Sequence, residues 1–402
     1  MLSSMFTAIS ALKMHQSYLD VIANNLANAN TTGYKTNRFL FQDQYYQMIS
    51  SGSAPTATQG GTNPLQVGLG VQAGYVSPSF SQGSLQSTGR NLDLAIQGDG
   101  FFIYNSGATA RYSREGSLTL DGNSALVNAA SGMHVQGWNV NALGVIDTTQ
   151  PAKDILIPTA GTKAKATTKV GLTGNLNANL TAMPLTSTYT VTVGGFDSLG
   201  NPISVPVTFT RNTDTGWGWS GGGGSGTLTF DATGHLPANT TGTVSIVGVG
   251  GAATNNATID FSNLTMLSAT SSATVASQNG LNAGTMTDVS ISPIDGMINL
   301  LYSNGLTEQV GQIAIARFSN PEGLVASGHT MFQTGVNAGM PQVGAANSGG
   351  RGVIASGYLE GSNVDMAQEF TNMILAQRGF QASSKVITTS DEIIQDLVNL
   401  KR

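Results

Sequence analysis

The chain has 402 residues, no cysteine and a formal net charge of −5, which excludes disulfides and thiolate metal sites and leaves room for two to three domains with real cores. Charged residues make up only 10%, against about 25% in an ordinary globular protein, and 51 glycines with many Ser, Thr and Asn replace them. Mild acidity without a Lys/Arg cluster argues against nucleic acid, and no apolar run reaches the roughly 18 residues that a membrane span needs.

The opening "MLSSMFTAISALKMHQSYLD" has neither a basic start nor an unbroken apolar run, so it is not expected to act as a cleaved signal peptide. It reads as a helix instead. Leu2, Met5, Ile9, Leu12, Leu19 and Leu26 follow a 3-4 rhythm, with Gln16 and Ala23 at the remaining seam positions. Ile22 falls on the apolar side as well. Asn24, Asn25 and Asn28 fall away from it, at about 200°, 300° and 240° on a wheel with Ile22 at zero. Neutral amides on a second face suit contact with another subunit, where they hydrogen-bond without a large desolvation cost. Asn30 would land inside the apolar face, so the helix is expected to end before it, in an exit turn from Asn30 to Gly33.

"SSGSAPTATQGGTNP" from Ser50 to Pro64 has linker composition. In "STGRNLDLAIQGDGFFIY", Leu92, Leu94 and Ile96 alternate with polar or small residues, which predicts a half-buried strand, a Gly98-Asp99-Gly100 turn and a second strand of the same hairpin. Strands flank Asp121-Gly122-Asn123, and "YTVTVGGFDSLGNPISVPVTFT" reads as a hairpin turning at Asp197–Asn201. "SGGGGSG" (Ser220 to Gly226) reads as a loose hairpin loop, and "GTLTFDATGHL" as a strand that ends in a turn. Only eight charged residues lie between Ile155 and Ala283, which marks a separate β domain inserted into an outer one. A second linker-like stretch runs from Gln333 to Gly352. The chain closes on a helix in which Met366, Met373, Phe380, Ile387 and Ile394 recur every seven residues, with Phe370 and Val398 on the alternate set and Asp365 or Asn363 as its cap.

The fold class expected is therefore α+β and multidomain, with paired, coiled-coil-like terminal helices and two nested, mainly-β domains between them. Residues 1–35 and 363–402 form the helical core domain, 36–70 a connector, 71–150 and 285–362 an inner β domain, and 151–284 the inserted outer one. Helices at both ends of a nested chain must return to one place, where their apolar stripes can bury against each other and against copies from other subunits.

No catalytic, cofactor or metal site emerges. His15, His134, His235 and His329 lie in separate segments without ligand spacing. "GLGVQAG" misses the dinucleotide spacing, the glycines at 221–224 lack a following Lys-Ser/Thr, and there is no GxSxG elbow. "FDATGH" lacks the oxygen ligands of a calcium loop. The chain is not expected to be an enzyme, and no cofactor is expected. A secreted β-rich adhesin or surface-layer subunit would suit the composition but not the two terminal heptad stripes. A polysaccharide-degrading enzyme would need convergent carboxylates that the middle lacks.

Three blocks resemble the flagellar rod and hook family of bacterial axial proteins. "LDVIANNLANANTTGYK" matches its N-terminal signature at Leu19, Asp20, Ile22, Asn24, Asn25, Leu26, Ala27, Asn28, Asn30, Thr31, Gly33, Tyr34 and Lys35. "STGRNLDLAIQGDGFF" resembles its internal motif. "LEGSNVDMAQEFTNMILAQRGFQASSKVITTSDEIIQDLVNL" resembles its C-terminal helix, with Gly361 where a small alanine is usual. The length and the inserted middle favour the hook branch over the shorter rod branch, although the insert between Tyr46 and Gly68 is similar to one in distal rod proteins. The resemblance implies an extracellular helical homopolymer, a hollow flexible tube lined by the terminal helices that passes torque from rod to filament. It implies export through the type III apparatus without a cleaved signal, and the distal rod, hook cap and hook–filament junction proteins as partners.

Overall fold

The computed structural model describes residues 2–105, 107, 109–141 and 144–399, with the side chains of Leu2 and Leu397 outside that description. The chain is α+β, with one helix at each end of a β-rich body. It divides into two compact units, one of residues 1–157, 291–298 and 310–402 and the other of residues 158–290 and 299–309.

In the first unit, α1 (Leu2–Ala27) runs through a stretch free of glycine and proline. Its asparagines close it. Asn28 Nδ2 donates to the Asn24 carbonyl (2.9 Å) and to Asn24 Oδ1 (2.8 Å), the local side-chain bonding that favours helix ends. Gly33 then takes φ +70°, and a Cβ there would lie 2.7 Å from the Glu115 nitrogen, so only glycine fits the exit turn. At the other end α2 (Met366–Asn399) is capped by Asp365, whose Oδ1 accepts from the Ala367 and Gln368 nitrogens at 2.9 and 3.1 Å. Asn363 is not the cap. It donates to the Ser79 carbonyl (2.8 Å) and accepts from the Thr36 nitrogen (2.8 Å), tying the root of α2 to the strands that follow α1.

Nearly half of the stretch read as a connector over 36–70 is strand. Strands β1 (Asn37–Asp43) and β2 (Tyr46–Ser50) pair with β4 (Val71–Pro78) and β3 (Leu65–Gly68). Bonds from Gln44 to Gly70, from Leu69 to Tyr45 and across Ser53 and Thr62 join them into one ribbon. From Asn37 to Ser53 it spans about 50 Å at roughly 3.3 Å per residue. Linker composition is confined to its tip. Aromatic and aliphatic residues on either side supply the strand propensity that the Gly/Ser/Thr run obscured. Its root packs on α1 through the rings of His15, Tyr18, Phe39 and Phe41, whose centroids lie 5.1–5.9 Å apart.

The rest of this unit is a sheet whose strands Ala110–Ser113, Phe101–Asn105 and His134–Asn139 are neighbours in that order, over a core of Phe101, Tyr112, Trp138, Phe318, Leu324 and Phe332. The expected hairpin around Gly98–Gly100 does not form. Leu94–Gln97 pairs with Val353–Ser356, whereas Phe101–Asn105 pairs with other strands. Leu94, Ala95 and Ile96 are all fully buried and Gln97 is exposed, so the alternation read there reflected chance spacing in a strand buried on both faces. Next to it, Leu85–Ser87 pairs with Tyr358–Glu360, so the chain entering the unit is hydrogen-bonded to the chain leaving it. The second linker-like stretch also holds a strand, Gln342–Ala345, paired with Ala314–Arg317.

The second unit contains two four-stranded sheets packed over Phe209, Trp217, Trp219, Val244, Ile259 and Phe261. One is a meander through Thr188–Phe196, Pro202–Arg211, Gly216–Gly221 and Gly224–Thr229. The glycine run is therefore a tight two-residue turn, with Gly222 and Gly223 at φ +52° and +76°, as the right-handed strand twist demands. The 197–201 turn forms as read. Asp197 is buried there and accepts from the Leu199 and Asn201 nitrogens and from Asn201 Nδ2 (2.9–3.0 Å), which holds its carboxyl down at about 2 despite the opposing effect of burial.

Candidate polymerisation surface

The two helices pair antiparallel. Asn25 meets Glu369, His15 meets Gly379, and Ala8 and Ala11 face Ala382 and Ser383. At this seam the side chains are mostly small. A Cβ on Gly379 would collide with the His15 ring, so the helices approach as closely as those two residues permit. The buried positions of α1 are Ala8, Ile22 and Asn25. The leucine stripe lies beside that line. Met5, Ile9, Leu12, Leu19 and Leu26 are each half-buried. Leu2 was read as part of the stripe, and its side chain lies outside the described residues.

The amides divide in the same way. Asn24 is exposed and Asn28 half-buried, but Asn25 is 1% exposed and saturated within the chain. Its Nδ2 donates to the Asn37 carbonyl (2.8 Å) and to Glu369 Oε1 (3.3 Å), and its Oδ1 accepts from the Asn37 nitrogen (2.9 Å) and the Tyr34 hydroxyl (3.1 Å). Asn25 therefore joins α1 to α2 and to the ribbon inside one chain. On α2, Met373, Phe380, Ile387 and Ile394 are half-buried along the seam, whereas Met366, Phe370 and Val398 are more than half exposed. Ile374, Leu375, Val386 and Ile393 are exposed too. A helix apolar on several sides is built to be covered on several sides.

Sequence reading missed the residues that root both helices. Glu360 sits just before α2 with its side chain fully buried, and Lys35 just after α1 is equally buried. Lys35 Nζ donates to Glu360 Oε1 at 2.6 Å and to the Ser81 carbonyl at 2.7 Å. The Gly83 nitrogen donates to the same Oε1 (2.9 Å), and Arg114 Nη1 to Oε2 (3.4 Å). Burial pushes Lys35 and Arg114 down, and the Glu360 carboxylate pulls both back up. The available signal was scarcity. In a chain this poor in charge, Lys35 and Glu360 stand within otherwise neutral or apolar blocks, where a charge needs a partner.

A third feature is the ribbon. Between Asp43 and Arg90 no residue is charged, yet Tyr45, Tyr46, Met48, Ile49 and Leu65 are each more than half exposed. Uncharged apolar surface on this scale marks a contact site.

Three family models match the chain. These are the flagella basal body rod protein over residues 5–35, the flagellar hook protein FlgE/F/G D1 domain over 95–178, and the flagellar basal body rod FlgEFG protein C-terminal region over 355–400. The flagellar hook protein FlgE of Borreliella burgdorferi is 36% identical over 443 aligned residues that cover the whole of both chains. The chain belongs to the bacterial flagellar hook protein family. The flagellar basal-body rod protein FlgG of Bacillus subtilis is also similar, at 32% identity over the whole of both chains. The crystal structure of Helicobacter pylori FlgE2 aligns at TM-score 0.47 and 16% identity, covering 68% of this chain and 100% of that one. This hook subunit is thus a self-polymerising structural component of the flagellum outside the cell. Among the described residues no helix is long and apolar enough to cross a membrane.

Proposed function

We propose that the hook subunit polymerises through its terminal helices, with Leu2, Met5, Ile9, Leu12, Leu19 and Leu26 of α1 and Met366, Phe370, Met373, Phe380, Ile387, Ile394 and Val398 of α2 presented to neighbouring copies. The observation that carries this reading is the half-exposed leucine stripe beside a seam closed by small residues. One face of each helix is spent within the chain, and a second apolar face is left over. Ile22 and Asn25 serve the intrachain joint and Asn28 is held by Asn24 and Thr31, which leaves the exposed Asn24 to face the outside. Its role is mechanical rather than catalytic, and it needs no cofactor. The tube carries torque from rod to filament and bends because the second unit presents many Thr, Asn and Gly contacts and few charges, so that neighbours slide without breaking ion pairs.

Export through the flagellar type III channel in an unfolded state fits a chain with no disulfide to reduce. At the ends of the tube the same helices would meet the distal rod protein on one side and the hook cap and hook–filament junction proteins on the other. Assembly of the purified chain, imaged by electron microscopy, tests the proposal. Curved, bendable tubes are expected. Straight rigid rods would favour a distal rod role, to which the uncharged ribbon and the 32% identity to a rod protein lend support, and a chain that never polymerises would overturn both.

A further inference from the structure

Glu369 is buried and lines a cavity of about 310 Å³ with Tyr18, Asn25, Asn37, Arg38 and Glu322. Among the described residues no cation lies within ion-pair distance of it. Neutral amides are its hydrogen-bond partners. An acidic residue in the first turn of a helix gains from the dipole, but that gain does not require burial, and Asp365 already caps this end. Burial instead pushes the Glu369 carboxyl up, and its charge adds to the burial that raises Tyr18 beside it. An uncompensated buried carboxylate costs stability, and the cavity leaves space beside it.

The opposite side of α2 holds the complement. Arg378 lies nine residues on, which at 100° per residue places it about 180° away from Glu369. It is exposed and forms no ion pair among the described residues. One helix therefore carries an inward acid without a base and an outward base without an acid. An acid and a base on opposite faces cannot satisfy each other within one chain. They can do so between copies arranged head to tail, the heterologous contact that generates open helical polymers.

We propose that the Glu369 cavity is a socket for the Arg378 guanidinium of a second copy of this chain. The inference rests on the polymerisation reading above. Arginine fits this role because its planar fork can engage a carboxylate in bidentate fashion while also donating to neighbouring amide oxygens. Lys385, which projects near the same outer side at about 160°, offers only a compact, strongly hydrated charge.

The test is a double-mutant cycle on the critical concentration for assembly of the full-length chain, with E369Q, R378Q and the double variant measured beside the unmodified chain. Each single change is expected to raise the critical concentration by about tenfold, and the double variant to be no worse than either single. Unmodified chain in the same series reports separately on whether the protein polymerises. Hydrogen exchange of the E369Q monomer provides a folding check, and the α1–α2 joint is expected to be at least as protected as in the original. Additive effects of E369Q and R378Q, or coupling of E369Q to R38Q or K385Q in place of R378Q, would overturn the proposal.

Discussion

Replacing Glu360 with glutamine removes one charge and almost no volume, and the buried surroundings set the cost. Its carboxylate is the shared acceptor for Lys35 (2.6 Å) and Arg114 (3.4 Å), with all three side chains at most 3% exposed. The glutamine amide can still accept from Gly83, but it leaves two buried cations without an anion in contact. Breaking a buried pair in this way costs about 3–5 kcal/mol. With a urea dependence of about 3 kcal/mol per molar for a unit of this size, the unfolding midpoint falls by about 1–1.7 M. The assay is urea titration of the full-length monomer, read by hydrogen exchange in peptides from Leu94–Asn105 in the first unit and Val205–Trp219 in the second. The first set is expected to shift and the second to hold. Replacing Lys35, Arg114 and Glu360 together with apolar residues should recover much of the loss, because the penalty lies in the orphaned charges. A Glu360→Gln midpoint indistinguishable from the original, or an equal shift in both units, would refute the reasoning.

Other outcomes can be checked separately. Glu369 has its folded pKa raised above the unfolded value, so the ionised group opposes folding at neutral pH, and that cost disappears as pH falls below the unfolded value of about 4.3. Glu369→Gln is therefore expected to stabilise the monomer at pH 7 and to leave it unchanged near pH 3.5, measured by urea midpoints at the two pH values. Asp197 shifts the opposite way, to about 2. Its contribution is intact above about pH 4 and lost as the pH falls toward 2, so Asp197→Asn should flatten the acid limb of second-unit unfolding followed by tryptophan fluorescence. Gly379→Ala adds helix propensity worth up to about 1 kcal/mol but drives a methyl group into the His15 ring. Circular dichroism of assembled tubes should show the single change lowering thermal stability and His15→Ser on top of it restoring stability. Met48→Asp with Ile49→Asp places charge on the exposed uncharged ribbon and should raise the concentration needed for assembly while leaving the monomer's unfolding midpoint unchanged.

What could be read from the sequence depended on whether a pattern was local. Heptad spacing reveals a helix from its own residues, as do the Asp197 and Asp121 turns, whose carboxylates accept from backbone nitrogens two to four residues on. The seam was different. Large aliphatics mark where a helix is apolar, whereas the intrachain crossing was set by His15 and Gly379, whose fit exists only when both helices are present. The ribbon was masked because glycine and threonine at its tip resemble a linker unless the strand opposite is known. The Leu94–Gln97 strand pairs with residues more than 250 positions away, and no local periodicity can report that. Asn25 was recognised as unusual and assigned an outward role. Its four hydrogen bonds, three of them to residues within twelve positions, turn it inward.

The pairing of Leu85–Ser87 with Tyr358–Glu360 also fixes an order of events. A chain threading out of a channel one end first cannot close that pair until nearly all of it has emerged, and closing so long a loop is slow. The second unit, whose strands pair within residues 158–309, can fold while the rest is still arriving. The Lys35–Glu360 contact and the α1–α2 seam must come last. Before that moment the paired helices proposed as the assembly surface do not exist, so under the export route proposed above a subunit would acquire its adhesive faces only after it had cleared the pore.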